Sequence, residues 1–277
     1  MFLVKEEKTM LEIRLKTGDC GEEVTLLQRA LNELGNYNLV LDGSFGPGTA
    51  NCLKDWQKKN GFVIDGFYNS SIHHSIRDLI NLKYIRFDEI DEYALTIGIE
   101  PNILKAFTIV ESKGGGFFNN GTCKILFERH VFYNQVIRKF DKKVAISWMN
   151  KFPNICHPVW NQTSYLGGIR EWDRLSAAID LDAECALLAT SWGMFQVMGF
   201  NYGACGYENV GDFVADLSST EKYHISSIVM FIRNNRPLYR ACIEKNFNDM
   251  AKHYNGPEYA KNNYHIKLRN IYQELSK

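Results

Sequence analysis

Apolar residues recur at helical spacing in three short stretches near the start of the chain. Val24, Leu27, Leu31 and Leu34 follow one another at intervals of three or four and run out at Gly35, which predicts an amphipathic helix closed by a glycine at its C′ position. The acidic cluster Asp19, Glu22 and Glu23 suits the positive end of that helix. Ala50, Leu53 and Trp56 repeat the stripe after an Asp42-Gly43 turn, with Thr49 as the expected N-cap. Ile72, Ile76 and Leu79 repeat it again after Asp65-Gly66, with Ser70 as cap. The two Asp-Gly units lie 23 residues apart and form a weak internal repeat. These stretches predict a small helical bundle within residues 1–82. The connection Asn81–Phe87 carries no Gly, Pro or Ser enrichment, so the expected link to residues 83–277 is short and not of the flexible kind.

The second part of the chain also reads mainly as helix. An acidic turn opens residues 88–98, and PNILKAFTIVES follows as a mostly apolar helix from Pro101, a residue suited to the first helical position. Leu104, Phe107 and Glu111 share one face of it. Gly114, Gly115 and Gly116 then end it. A carboxylate at the negative end of the helix dipole, on an otherwise apolar face, is disfavoured in its charged form. That is what a general acid working near neutral pH requires. A solvated helix-end glutamate fits the same spacing.

Downstream, Asn119-Asn120-Gly121 predicts a turn, KILFE a short strand, and the residues from about His130 a helix. Residues 141–170, with Pro153 and Pro158, read as an irregular lid or cleft wall. AECALLATS reads as a buried helix, and helical patterns fill the remainder up to a break at Gly256-Pro257.

Composition narrows the chemistry. The 277 residues carry 32 Lys plus Arg against 32 Asp plus Glu, so the global basic excess of a nucleic-acid binder is absent and no nucleic-acid partner is expected. MFLVKEEKTM lacks the apolar core and cleavage site of a signal peptide, and no segment has the length of a membrane span. The expected product is cytoplasmic, monomeric and not inserted in a membrane. Seven cysteines occur without a CxxC pair, and Cys156, His157 and His130 form no regular ligand quartet. Buried free thiols are expected, with no metal and no cofactor.

Two resemblances emerge from these motifs. The series GDCGEEV, LLQRALNELG, LDGSFGPGT, DWQ and VIDGFY is similar to the peptidoglycan-binding module found at the ends of wall hydrolases, a three-helix bundle. One departure is CLKDWQ, where Trp56 takes the place of the usual aromatic before the glutamine. VESKGGGF, SWGMFQVMG and HYNGPEYA, with KILFERHVFY, resemble the motifs of lysozyme-like N-acetylmuramidases and lytic transglycosylases. Together they imply a modular phage endolysin. Its fold is mainly α: a wall-binding bundle in residues 1–82, then an α-dominant lysozyme-like domain with a short β element in residues 83–277.

The resemblance implies a glycosidase cleaving the β-1,4 bond between N-acetylmuramic acid and N-acetylglucosamine. Glu111 would be the general acid and Ser112 would stand beside it. Gln196 would project an amide to substrate, and Tyr254 and Asn255 would line the opposite wall. A second carboxylate is needed to activate water or support the developing cation. Glu128 is the choice on sequence, with an ion pair to Arg129 or another base as its structural alternative and Asp141, Glu171 and Asp173 as lesser candidates. Action in the periplasm after release through a separate holin is implied. Lytic transglycosylation to 1,6-anhydromuramic products, and a non-catalytic wall-binding protein, stay open at this point.

Overall fold

The computed structural model describes residues 14–35, 37–81, 83–112, 115–118, 120–256 and 259–277. The chain divides into two compact units, Met1–Leu82 with Asn119–Gly121, and Lys83–Phe118 with Thr122–Lys277. Both are built mainly from helices.

In the first unit, strand β1 (Arg14–Leu15) pairs antiparallel with β2 (Tyr68–Asn69) beside helices α1 (Glu22–Gly35), α2 (Pro47–Lys59) and α3 (Ser70–Asn81). Leu27, Leu31, Leu53, Ile72 and Ile76 are fully buried, as their spacing predicts. Leu34 instead lies exposed, and the side chain of Leu79 lies outside the described residues. Two caps differ from expectation. Helix α2 starts two residues before Thr49, with Pro47 in its first turn, where the missing N–H costs nothing. For α3 the cap is Asn69, whose Oδ1 accepts the Ile72 N–H at 3.0 Å.

The internal repeat has a physical basis in two buried glutamines. Gln28 donates to Asp42 Oδ1 (2.8 Å) and the Ser44 carbonyl (3.0 Å) and accepts the Gly43 N–H (3.0 Å). Gln57 does the same one repeat later, to Asp65 Oδ1 (2.8 Å) and the Phe67 carbonyl (3.1 Å), accepting from Gly66 N–H (3.0 Å). Each turn needs glycine at its second position, at φ +67° for Gly43 and +72° for Gly66. A buried amide that satisfies a turn on both sides fixes the helix-to-turn geometry without leaving a polar group unpaired. That explains why glutamine and Asp-Gly travel together in this part of the sequence.

The second unit opens with α4 (Ile90–Thr96) and α5 (Pro101–Ser112). Ile103, Leu104, Ala106 and Phe107 of α5 are buried, against α4 and the C-terminal helix α14 (Tyr264–Leu275). Strand β3 (Ile125–Phe127) leads into α6 (Arg129–Lys139) and α7 (Lys142–Lys151). Helix α7 occupies a stretch expected to be irregular: Asp141 caps it, accepting the Val144 N–H at 2.8 Å, and only the residues beyond it follow the expected loop course.

Helices α8 (Glu171–Ile179) and α9 (Ala183–Leu188) come next. The expected helix AECALLATS ends early, because Thr190–Trp192 leaves it as strand β4. β4 pairs antiparallel with β3 in the register Ile125↔Trp192 and with β5 (Val197–Met198) in the register Ser191↔Met198, making a three-stranded sheet where one strand was expected. The unit is completed by α10 (Val210–Ser219), α11 (Glu221–Asn234), α12 (Arg236–Ile243), α13 (Phe247–Asn255) and α14. Among the described residues no helix is long and apolar enough to cross a membrane.

Candidate active site

Glu111 stands in the last turn of α5, half-buried, one turn beyond the buried Phe107. Its Oε2 accepts a hydrogen bond of 2.6 Å from the Tyr264 hydroxyl at the start of α14. Burial, and then the bond to Glu111, push the Tyr264 hydroxyl well above its ordinary value, so it remains a protonated donor. Tyr264 is not recognisable in the sequence, because it lies 153 positions from its partner and outside every motif.

Gly115 and Gly116, after Glu111, are gripped by the first turns of α11. Glu221, buried at 3% exposure, accepts the Gly116 N–H on Oε1 (2.8 Å) and the Ile85 N–H on Oε2 (3.3 Å). Gly115, at φ +89°, offers its carbonyl to Lys124 Nζ (2.9 Å). One turn on from Glu221, the His224 ring stacks on Phe117 at 5.1 Å and accepts the Met194 N–H on Nδ1 (3.2 Å). Its Nε2 donates to the Leu217 carbonyl (2.5 Å). Both Gly116 and Gly193 lie flat against that ring, where a Cβ would come within 2.1 and 2.8 Å of it. Gly116 of VESKGGGF and Gly193 of SWGMFQ are thus two sides of one clamp closed on His224.

Burial holds His224 down at about 4, so the ring is neutral in the folded state at neutral pH. An unfolded histidine near 6.5 binds its proton earlier, so the folded state loses stability as pH falls from about 6.5 to about 4 and loses no more below that. This contribution is on the order of 3 kcal/mol. Urea midpoints measured from pH 7.5 to 4.5 should fall more steeply for the wild type than for His224→Gln; parallel slopes would contradict the assignment.

Glu128 sits between β3 and α6 with its side chain 15% exposed. It accepts the Tyr165 hydroxyl at 2.6 Å and lies 3.3 Å from His130 Nδ1. Of the bases considered on sequence, Arg129 turns inward and donates to the carbonyls of Pro153 (3.0 Å) and Val159 (3.1 Å), and the base beside Glu128 is His130. Of the lesser candidates, Glu171 is fully buried and committed. It bonds Arg174 (2.7 Å) and the N–H groups of Leu166 (2.7 Å) and Gly167 (2.9 Å), stapling the 153–170 loop to the sheet. Asp141 is the α7 cap, and Asp173 is an exposed residue of the first turn of α8.

Gln196 lies at the tip of the β4–β5 hairpin in the left-handed region (φ 49°), a conformation costly for a non-glycine residue. The residue is exposed, and its amide is bonded at the base of the hairpin. Nε2 donates to the carbonyls of Gly193 (2.8 Å) and Lys124 (3.3 Å), and Oε1 accepts from Ser191 (2.9 Å). Tyr254 packs edge-on against Phe107 (4.6 Å) and donates to the Phe195 carbonyl (2.8 Å), joining the HYNG and SWGMFQ motifs. Burial first, and then the Glu111 charge, drive its hydroxyl well above the ordinary value. Asn255 ends α13 and is exposed. Ser112 ends α5, and its side chain lies outside the described residues. Among the described residues no three His, Cys, Asp or Glu side chains gather as a metal site. Burial pushes the Cys123, Cys205 and Cys242 thiols up to about 12, which makes them inert packing groups.

Residues 100–276 match the N-acetylmuramidase family, and residues 20–73 match a peptidoglycan binding domain. The crystal structure of the Burkholderia AP3 phage endolysin is similar over 95% of this chain and 99% of that one, at 30% identity and a TM-score of 0.66. No curated protein sequence matches.

Proposed function

The chain belongs to the N-acetylmuramidase family as a peptidoglycan-hydrolysing glycosidase of endolysin type, and from that premise we propose that Glu111 is its general acid. The observation that carries the assignment is the half-buried carboxyl at the end of an apolar helix, held at one oxygen by Tyr264 at 2.6 Å. Glu111 protonates the oxygen between N-acetylmuramic acid and N-acetylglucosamine as the bond breaks. Tyr264 fixes which oxygen faces the sugar. Glu128, oriented in turn by Tyr165, is the second carboxylate, which activates water or supports the oxocarbenium ion. Gln196 acts through the hairpin, keeping Gly193 and Lys124 in place, and Asn255 and Ser112 meet the substrate. Tyr254 holds the wall behind Glu111.

Tyr264→Phe removes only the hydroxyl and tests this arrangement. A hydrogen bond from a hydroxyl to a protonated carboxyl is worth about tenfold. The expected result is a drop in kcat of that size with KM nearly unchanged; an unchanged kcat would show that Tyr264 plays no part in positioning the acid.

Residues 1–82 form the wall-binding domain, the enzyme acts as a monomer, and it reaches its substrate in the periplasm after release from the cytoplasm. A fragment of residues 1–82 should sediment with purified sacculi, and residues 83–277 alone should keep activity but lose rate at low enzyme concentration. Equal rates for full chain and truncate at every concentration would contradict an anchoring role.

A further inference from the structure

Helices α12 and α13 form an antiparallel pair whose outer faces enclose an open groove of about 510 Å³. Arg236, Arg240 and Glu244 line one side at intervals of four residues, and Asp249 and His253 line the other. The groove is polarised. Glu244 and Asp249 stand at the end where the two helices are joined, and Glu244 holds Arg240 at 2.7 Å. Arg236 and His253 stand at the opposite end, and neither makes a hydrogen bond or ion pair with another described residue. The end with Arg236 and His253 is the one nearest Glu111. Phe231, five residues before Arg236, packs on the Tyr254 ring at 6.2 Å, and Tyr254 packs on Phe107, one turn before Glu111.

We infer that this groove is a subsite for the peptide stem carried by the muramic acid. The inference rests on the reading of the chain as a muramidase. The glycan of a peptide-substituted wall is uncharged, because each lactyl group is in amide linkage, so an uncommitted guanidinium has nothing to recognise on the sugars themselves. The stem supplies the missing partner. Counting outward from the sugar it presents a glutamate carboxylate and then a diamino acid with a free amine. Carboxylate near and amine far is the order that Arg236 and His253 near, and Glu244 and Asp249 far, would receive. The volume is that of a site for a small ligand or a few residues of peptide. The chain's net charge of zero offers no general attraction that would make these residues redundant.

The test compares two substrates, soluble glycan strands with stems intact and the same strands stripped of stems by an amidase, with the freed lactyl carboxylates capped as methylamides so that the glycan stays uncharged. In the full-length protein, Arg236→Glu should lower kcat/KM about tenfold on the stemmed strands. On the stripped strands it should change kcat/KM less than about twofold, and Arg236→Lys should restore part of the difference. No loss on either substrate, or an equal loss on both, would overturn the subsite while leaving the muramidase assignment standing. Failure of the wild type to cleave either glycan would instead overturn the muramidase reading, and the subsite with it.

Discussion

Glu111→Gln should reduce lysis of outer-membrane-stripped cells by roughly a thousandfold, the middle of the range for loss of a general acid. The substitution keeps size and shape and leaves an amide oxygen to accept the Tyr264 hydroxyl, which now lies 2.6 Å from the carboxylate. It removes the one thing an amide cannot supply, a proton for the departing sugar oxygen. The folded state should therefore be preserved, with a melting temperature within about 3 °C of wild type, since a half-buried isosteric change is worth well under 1 kcal/mol. A large loss of rate with the fold intact separates a chemical role from a structural one. The same variant also decides against a non-catalytic wall-binding protein, which would lyse or fail to lyse regardless of this carboxyl.

Gly116→Ala should have the second-largest effect, by a different route. A methyl group there would sit 2.1 Å from His224 Nδ1 and 3.1 Å from the Met194 backbone nitrogen. The ring cannot swing aside, because one nitrogen is bonded to the Met194 N–H and the other to the Leu217 carbonyl, and Phe117 is stacked on its face. Relief requires moving the backbone of the loop that follows Glu111 or breaking the bond from Gly116 N–H to Glu221. Overpacking of so rigid a site should cost about 3 kcal/mol or more, with activity falling further than stability alone explains because the acid's helix end moves. Gly203→Ala is the control: a Cβ there meets nothing within 4 Å, and the change should be silent within about 0.5 kcal/mol. Chemical denaturation of the two variants side by side measures the difference.

The parts of this architecture that were legible in the sequence are those fixed by local spacing. The stripes Val24–Leu31 and Leu53–Trp56 mark buried faces because a helix repeats every three to four residues. The run Leu104, Phe107, Glu111 and the glycines beyond placed the candidate acid at a helix end. Interactions across long separations were not legible. Tyr264 reaches Glu111 only because α14 packs along α5, and no local pattern encodes that. Glu221 and His224 fall in no motif, and their grip on two glycine loops is a tertiary fact. The hairpin at Gly193–Gln196 was hidden because the Ala-rich run before it carries helix propensity into Thr190–Trp192, where pairing with β3 overrides it. Helix α7 was hidden by the prolines that follow it, although Asp141 and the Val144, Ala145, Trp148 spacing announce it.

A general acid is needed in proportion to how poor the leaving group is, so the central claim is tested most directly by varying that group. Rates of wild type and Glu111→Gln should be compared on a natural disaccharide linkage and on the same muramyl donor carrying a dinitrophenolate, which departs without a proton. If Glu111 donates the proton, the variant's deficit of roughly a thousandfold on the sugar linkage should shrink to about tenfold or less on the activated one. A deficit of equal size on both substrates would contradict the assignment.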